Sequence, residues 1–471
     1  MPGATAQRLS QELGFVSPPD YSAAMPQDIR SQTRDELAAQ LKAWGQPAYR
    51  AEQVLRWLYR RRATDWAAMT NLPRALRDQL REQFGLHPIA LVRRQGAADA
   101  TQKFLWRLND GALIESVLIP ANPALYGEAS DRHTLCVSTQ VGCAYGCKFC
   151  ASGLEGWKRD LRVEEIVDQV LAAERAQPGR GARPGADAPT ANPQGSVEPP
   201  RPEGRDAFHC VPDFSGNDGD AVERVPTGFM GDEQVRQDLA DSQEPARGRS
   251  PAAAQQTEAP TGDRSRAVPP RFIDNLVIMG MGEPLANYDA LLKALTILNA
   301  PWGGGIGARK ITISTSGLVP QIRQLAQEPF QFRLALSLHG ATDATRNRIM
   351  PVNRKYPLPE LIAACEYYLE KKGRMITLEY ILIAGVNDAV AQTAPLAQLA
   401  HRLHAKVNLI PYNPVEGLPW KRPDEAIQEA FLAALTRQHV SATLRREKGG
   451  DIDAACGQLR LKTERELRRQ G

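Results

Sequence analysis

Three cysteines in one short loop set the chemistry open to this chain. Within "CVSTQVGCAYGCKFC" (136–150), Cys143, Cys147 and Cys150 stand in the spacing C-x3-C-x2-C, and a fourth, Cys136, lies just upstream. Cysteine thiolates at short spacings hold iron–sulfur clusters, and three of them leave one iron of a four-iron cluster without a protein ligand. Such an open position can bind and activate a second molecule, as the open position of a catalytic zinc does. The competing reading is a structural zinc with Cys136 as fourth ligand. Zinc ligand pairs mostly stand two to four residues apart, whereas Cys136 is further from its nearest partner and sits inside a predicted strand. Tyr145 and Phe149 interleave the three cysteines, and Phe149 can shield a cluster or pack beneath it.

The surrounding sequence supplies a scaffold for that loop. β-rich runs at 134–139, 275–281, 310–316, 333–339, 375–383 and 406–412 alternate with amphipathic stretches such as "RVEEIVDQVLAAERA", "YDALLKALTILNA" and "LPELIAACEYYLEKKG". Strands alternating with helices predict an α/β fold with a parallel sheet and helices outside. Six such units in series predict a partial, TIM-like (β/α)6 barrel over 134–176 and 271–460, with its chemistry at the C-terminal ends of the strands. Cys365 falls on one of the amphipathic helices and reads as core.

Upstream, residues 28–90 read as a small helical domain and 91–133 as a β-rich connector with a turn at Asn109-Asp110-Gly111. The second helix, "AYRAEQVLRWLYRRR", mixes Arg56, Arg60, Arg61 and Arg62 with Trp57 and Tyr59. Guanidinium groups and rings together suit RNA phosphates and bases, while an ordinary helix with core aromatics and a solvated basic side would read the same way. A basic tail, 461–471, closes the chain.

Residues 177–270 stand apart, with 14 Pro and 11 Gly among 94 residues and no periodic apolar pattern. A segment of that composition cannot bury enough apolar surface to offset its ordering entropy, so it is expected to be a disordered, low-complexity insertion. Its His209 and Cys210 read as incidental. It carries 10 Arg, no Lys and 15 Asp/Glu, hence −5 of a total of +4, which leaves +9 on the rest of the chain. A mildly basic folded part suits a polyanionic partner. No apolar run of about 18 residues occurs, so no membrane span is expected. The N-terminus lacks an apolar signal core, and seven cysteines in a chain of 471 residues argue for metal or redox work in the cytoplasm, not for a disulfide framework.

Further stretches narrow the reading. "MGMGEP" (279–284), "ITISTSG" (311–317), "LALSLHG" (334–340), "RIMPVNRKYP" (348–357), "NLIPYNP" (408–414) and "GGDIDAACGQL" (449–459), together with the cysteine loop, resemble the RlmN family of the radical S-adenosylmethionine (SAM) superfamily. The resemblance spans about residues 30–176 and 271–470. It implies a [4Fe-4S] cluster on Cys143, Cys147 and Cys150, and SAM bound by Gly282, Glu283, Ser314, Ser337, Leu338, His339 and Asn413. It also implies methylation at C2 of an adenine in 23S rRNA and of the adenine next to the anticodon in some tRNAs. Two SAM molecules would be used per turnover, one to methylate Cys456 and one to generate a 5′-deoxyadenosyl radical. Cys136 would then resolve the RNA adduct by forming a disulfide with Cys456, and Glu115 in "LIESVLIP" would take the C2 proton. An electron donor such as flavodoxin and a monomeric, non-membrane state complete what the family implies. The nearest alternatives are a Cfr-like C8 methyltransferase and a non-catalytic zinc-bearing RNA-binding protein.

Overall fold

In a computed structural model of the chain, the described residues are 26–97, 100–121, 132–177, 271–445 and 457–470. All of them belong to one unit of the chain, and the segment expected to be disordered lies outside them apart from its first residue, Gln177. Cys210, His209 and Cys456 are likewise outside the described residues.

Among the described residues, three N-terminal helices, α1 (Arg34–Ala43), α2 (Tyr49–Leu55, continued by a π-turn over Arg56–Arg60) and α3 (Arg74–Gln83), form the small helical domain. Thr33 and Glu36 close a capping box at the start of α1, each side chain satisfying a backbone N–H of the other's turn. Leu37, Leu41, Val54, Leu58 and Leu80 bury the shared face.

The barrel is one ten-stranded sheet in the order β1-β2-β3-β4-β7-β8-β9-β10-β11-β12. Strands β4 (His133–Cys136), β7 (Asn275–Ile278), β8 (Ile311–Thr315), β9 (Arg333–Ser337), β10 (Thr377–Leu382) and β11 (Lys406–Pro411) are the six that periodicity predicts. All neighbours in this series run parallel, and β12 (Ala442–Leu444) adds a seventh parallel strand beyond it. The crossovers are α4 (Val163–Arg175), α5 (Tyr288–Asn299), α6 (Val319–Gln327), α7 (Asp343–Ile349), α8 (Leu358–Lys372), α9 (Thr393–Arg402) and α10 (Glu425–Arg437). Cys365 is fully buried on α8, as its place in the apolar pattern predicts.

What the sequence presents as a connector is part of the same sheet. Strands β1 (Ala90–Gln95), β2 (Gln102–Arg107) and β3 (Leu113–Pro120) pair antiparallel with one another, and β3 pairs antiparallel with β4. A short hairpin of β5 (Gln140–Gly142) and β6 (Trp157–Asp160) brackets the cysteine loop. The C-terminal tail is a helix, α11 (Gln458–Gln470), whose Leu459 packs on Leu105 and Leu113 of β2 and β3. Its Arg460 is completely buried, so this residue is not part of a solvated basic surface.

Candidate active site

The cysteine loop opens beyond the C-terminal end of β4, where the barrel rule expects chemistry. Gly146 turns it at φ +59°, a left-handed value that favours glycine. Two contacts anchor its middle: Lys148 N–H donates to Ile349 O at the end of α7 (2.9 Å), and Trp420 Nε1 donates to Lys148 O (2.8 Å). Cys143, Cys147 and Cys150 are half-buried free thiols. Burial pushes the Cys143 thiol up to about 12, with the Cys150 charge adding to it. Cys147 is raised for the same reasons, burial first. Buried thiols such as Cys143 and Cys147 favour ionisation beside compensating positive charge, which iron would provide. No three His, Cys, Asp or Glu among the described residues converge on a single ion. A four-iron cluster takes each thiolate on a separate iron, so one loop carrying three thiols fits it.

Around that loop lie the residues expected to hold SAM. Glu283 follows β7 and is buried. Its two carboxylate oxygens accept from Leu285 N–H (3.2 Å) and Ser316 N–H (2.7 Å), and burial raises its pKa. Gly282 is left-handed at φ +95°, and a Cβ there would meet the Gln140 side chain at 2.5 Å. Ser314 and Ser337 come within 3.2 Å through their hydroxyls. The row continues where the sequence gives no hint. Glu379 pairs laterally with Ser337 and accepts from Asn408 Nδ2 (3.0 Å), while its buried Oε2 has no hydrogen-bond partner among the described residues. A carboxylate oxygen left open beside two hydroxyls fits a ligand carrying hydroxyl or ammonium donors, as SAM does. Leu338 and His339 follow β9, and Asn413 follows β11. His339 adopts φ +55°, its Nδ1 accepts from Ile381 N–H (3.1 Å), and its ring meets Phe149 edge-on at 4.9 Å. Burial and then Arg346 pull its pKa down to about 3, so the imidazole is neutral with its proton on Nε2.

Glu115 and Cys136 lie on the same face of the sheet. Val117 stands opposite Cys136 in the β3–β4 ladder, and Glu115 is two residues along from Val117. Opposed residues and residues two apart share a face, so both side chains point the same way. Ser116, on the other face, bonds Gln169 of α4. Glu115 is buried, not exposed on an edge strand. Its carboxylate accepts from Lys103 Nζ (3.1 Å), Gly457 N–H (2.9 Å) and Arg460 N–H (2.7 Å). It therefore caps the N-terminus of α11, immediately after Cys456. Gly457 is left-handed at φ +83°, and a Cβ there would lie 2.9 Å from Ser152 Oγ, two residues past Cys150. The residue following Cys456 is thus wedged between the Glu115 carboxylate and the turn that closes the cysteine loop.

The arginine helix of the N-terminal domain divides differently from the expectation of one RNA-contacting face. Tyr59 is buried with its hydroxyl on Arg30 O (2.9 Å), and Arg62 is buried against Glu174 of α4 (2.8 Å). Arg61 lies over the Trp57 ring at 4.4 Å. Arg62 through Glu174, and Tyr59 through an edge-on contact with Trp302 at 5.8 Å, join the domain to the rest of the protein and are not available to nucleic acid.

An open β/α barrel with three thiols beyond its first parallel strand defines a radical SAM enzyme. Residues 266–396 match the radical SAM superfamily. A radical SAM methyltransferase from Sphaerobacter thermophilus superposes with TM-score 0.68 at 37% identity, covering 92% of this chain and 99% of that one. Residues 27–86 match the family described as the ribosomal RNA large subunit methyltransferase N-terminal domain. A "probable dual-specificity RNA methyltransferase RlmN 3" from Opitutus terrae is 48% identical over 95% of this chain and 97% of its own length. A "dual-specificity RNA methyltransferase RlmN" from Anaeromyxobacter dehalogenans is 38% identical over 92% and 91%. The chain belongs to the RlmN family and is an RNA methyltransferase.

Proposed function

We propose that this protein methylates C2 of adenine in 23S rRNA and in tRNA, with Cys456 as methyl carrier, Cys136 as resolving thiol and Glu115 as general base. The observation that supports this reading most is the convergence of Cys136, Glu115 and Gly457 on one sheet face beside the cysteine loop. Cys143, Cys147 and Cys150 hold the [4Fe-4S] cluster, while Gly282, Glu283, Ser314, Ser337, Leu338, His339 and Asn413 hold SAM. Bound together, the cluster and SAM supply one-electron chemistry that reaches an unactivated ring carbon. Two SAM molecules are used per turnover.

The chain's own residues do the rest. The Cys456 thiolate accepts the methyl group and later carries the base as a thioether. Glu115 takes the C2 proton once the bonds that now occupy its carboxylate are released to the substrate. The Cys136 thiolate attacks the Cys456 sulfur; the S–S bond forms as the S–C bond breaks, and the leaving carbon keeps the electron pair and takes up a proton to become the methyl group on C2. The adenine must leave its stack to reach this face. The protein acts as a cytoplasmic monomer and takes its electrons from a donor such as flavodoxin. Among the described residues no helix is long and apolar enough to cross a membrane. Nucleoside mass spectrometry of 23S rRNA and tRNA from a strain lacking the protein tests the reading: 2-methyladenosine should vanish and return on complementation. Loss of 8-methyladenosine instead would assign the Cfr-like reaction.

A further inference from the structure

Arg346 on α7 is completely buried, and every hydrogen-bond partner of its guanidinium among the described residues is neutral. Nη1 donates to Ser337 O (3.0 Å) and Leu338 O (2.7 Å), and also contacts Met350 Sδ (3.5 Å). Nη2 donates to Ser316 O, and Nε to Asn353 Oδ1 (2.8 Å). One side chain thus gathers the carbonyl groups that end or follow β8 and β9. Two glycines make room for it. A Cβ on Gly317 would meet Nη2 at 3.1 Å, and a Cβ on Gly340 would meet the Arg346 backbone N at 3.0 Å.

A buried cation ordinarily has a carboxylate against it, because desolvating the charge costs several kcal/mol. Here burial pulls the guanidinium pKa down to about 10, opposed in part by Cys147, then Cys365, Asp343 and Glu283. The cysteine loop is in turn fastened to the same helix through Lys148 N–H and Ile349 O. No carboxylate touches the guanidinium, and the helix that carries it is the one that anchors the middle of the cysteine loop.

We propose that Arg346 is a positioning residue of the cofactor site: it fixes the carbonyl ends of β8 and β9 and sets one permanent positive charge behind the cysteine loop, which favours the reduced state of the cluster. This rests on the reading of Cys143, Cys147 and Cys150 as cluster ligands. The test is a redox titration of the anaerobically reconstituted full-length protein, followed by electron paramagnetic resonance without RNA. Arg346→Gln should disfavour reduction at least tenfold, about 59 mV lower for one electron. Arg346→Lys keeps the charge without the planar fork, so it should lower thermal stability yet leave the midpoint near that of the parent. A merely structural arginine would move stability in both variants and the midpoint in neither, and that result overturns the proposal. Should Arg346→Gln fail to fold, Asp343→Asn combined with Asn353→Asp moves a carboxylate onto Nε. The same fall in midpoint is expected, and an unchanged midpoint again overturns the proposal. A parent protein that takes up no iron and sulfide refutes the cluster reading itself, a separate outcome.

Discussion

Glu115→Gln separates two jobs of one carboxylate, the cap on α11 that the structure shows and the proton transfer proposed for it. The side chain keeps its shape, but only one oxygen remains where two now accept from Gly457 N–H, Arg460 N–H and Lys103 Nζ. A hydrogen bond to a charged group contributes about 1.5–3 kcal/mol, and the new amide directs its own N–H groups at donors. The ion pair with Lys103 is lost as well, with both partners buried. Breaking a buried pair costs about 3–5 kcal/mol, and the terms overlap because they share the same oxygens. A net cost of about 3 kcal/mol falls on the docking of α11, because its first turn loses its cap. At about 1.4 kcal/mol per tenfold, amide exchange at Gly457 and Arg460 should quicken roughly 100-fold in native-state hydrogen exchange. The α4 amides, on the opposite face, should be unaffected. Unchanged exchange at Gly457 and Arg460 would refute the capping role and leave Glu115 with proton transfer alone.

Two further outcomes follow from the joint between the N-terminal domain and α4. Asp168 is buried and bonded to Arg30, Arg175 and the Ile89 N–H. Burial alone would raise its pKa, but Arg175 and Arg30 hold it below the ordinary carboxylate range. A depressed carboxylate contributes stability that is fully present above its unfolded pKa near 4 and is lost as pH falls through the folded value. Asp168→Asn should therefore destabilise the protein by about 3–5 kcal/mol at pH 7, and the gap from the parent should begin to narrow below about pH 4 in denaturant titrations. Arg62→Gln should cost about 2–4 kcal/mol of stability through its buried pair with Glu174 and leave the salt dependence of RNA binding unchanged. Arg61→Gln should behave in the opposite way; a changed salt slope for Arg62→Gln would place that residue on the RNA.

Much of this was legible in residue order. Six β/α units follow from periodicity, because buried parallel strands and amphipathic helices carry opposite repeats. The cysteine spacing points to a cluster, because three thiols in one loop are a local property. What periodicity could not give is tertiary. Lys103, Glu379 and Arg346 are charged, nothing in the periodicity marks them as interior, and only the fold shows them buried. Glu115 shows the same limit, since β3 reads as an edge strand until β2 and β1 are seen beyond it. The arginine cluster at 60–62 looks uniform in sequence, yet the π-turn and the left-handed Arg62 (φ 54°) send its members in different directions. Nothing in composition marks which arginine meets Glu174.

The central claim is that Cys136 exists to release an RNA adduct from Cys456. Cys136→Ala, expressed in cells and purified under denaturing conditions, tests it through the covalent state of Cys456. The account predicts RNA joined to Cys456 through a thioether, resistant to reductant and absent from a variant that also carries Cys456→Ala. Cys136→Ala protein free of RNA, with 2-methyladenosine still accumulating, would contradict it.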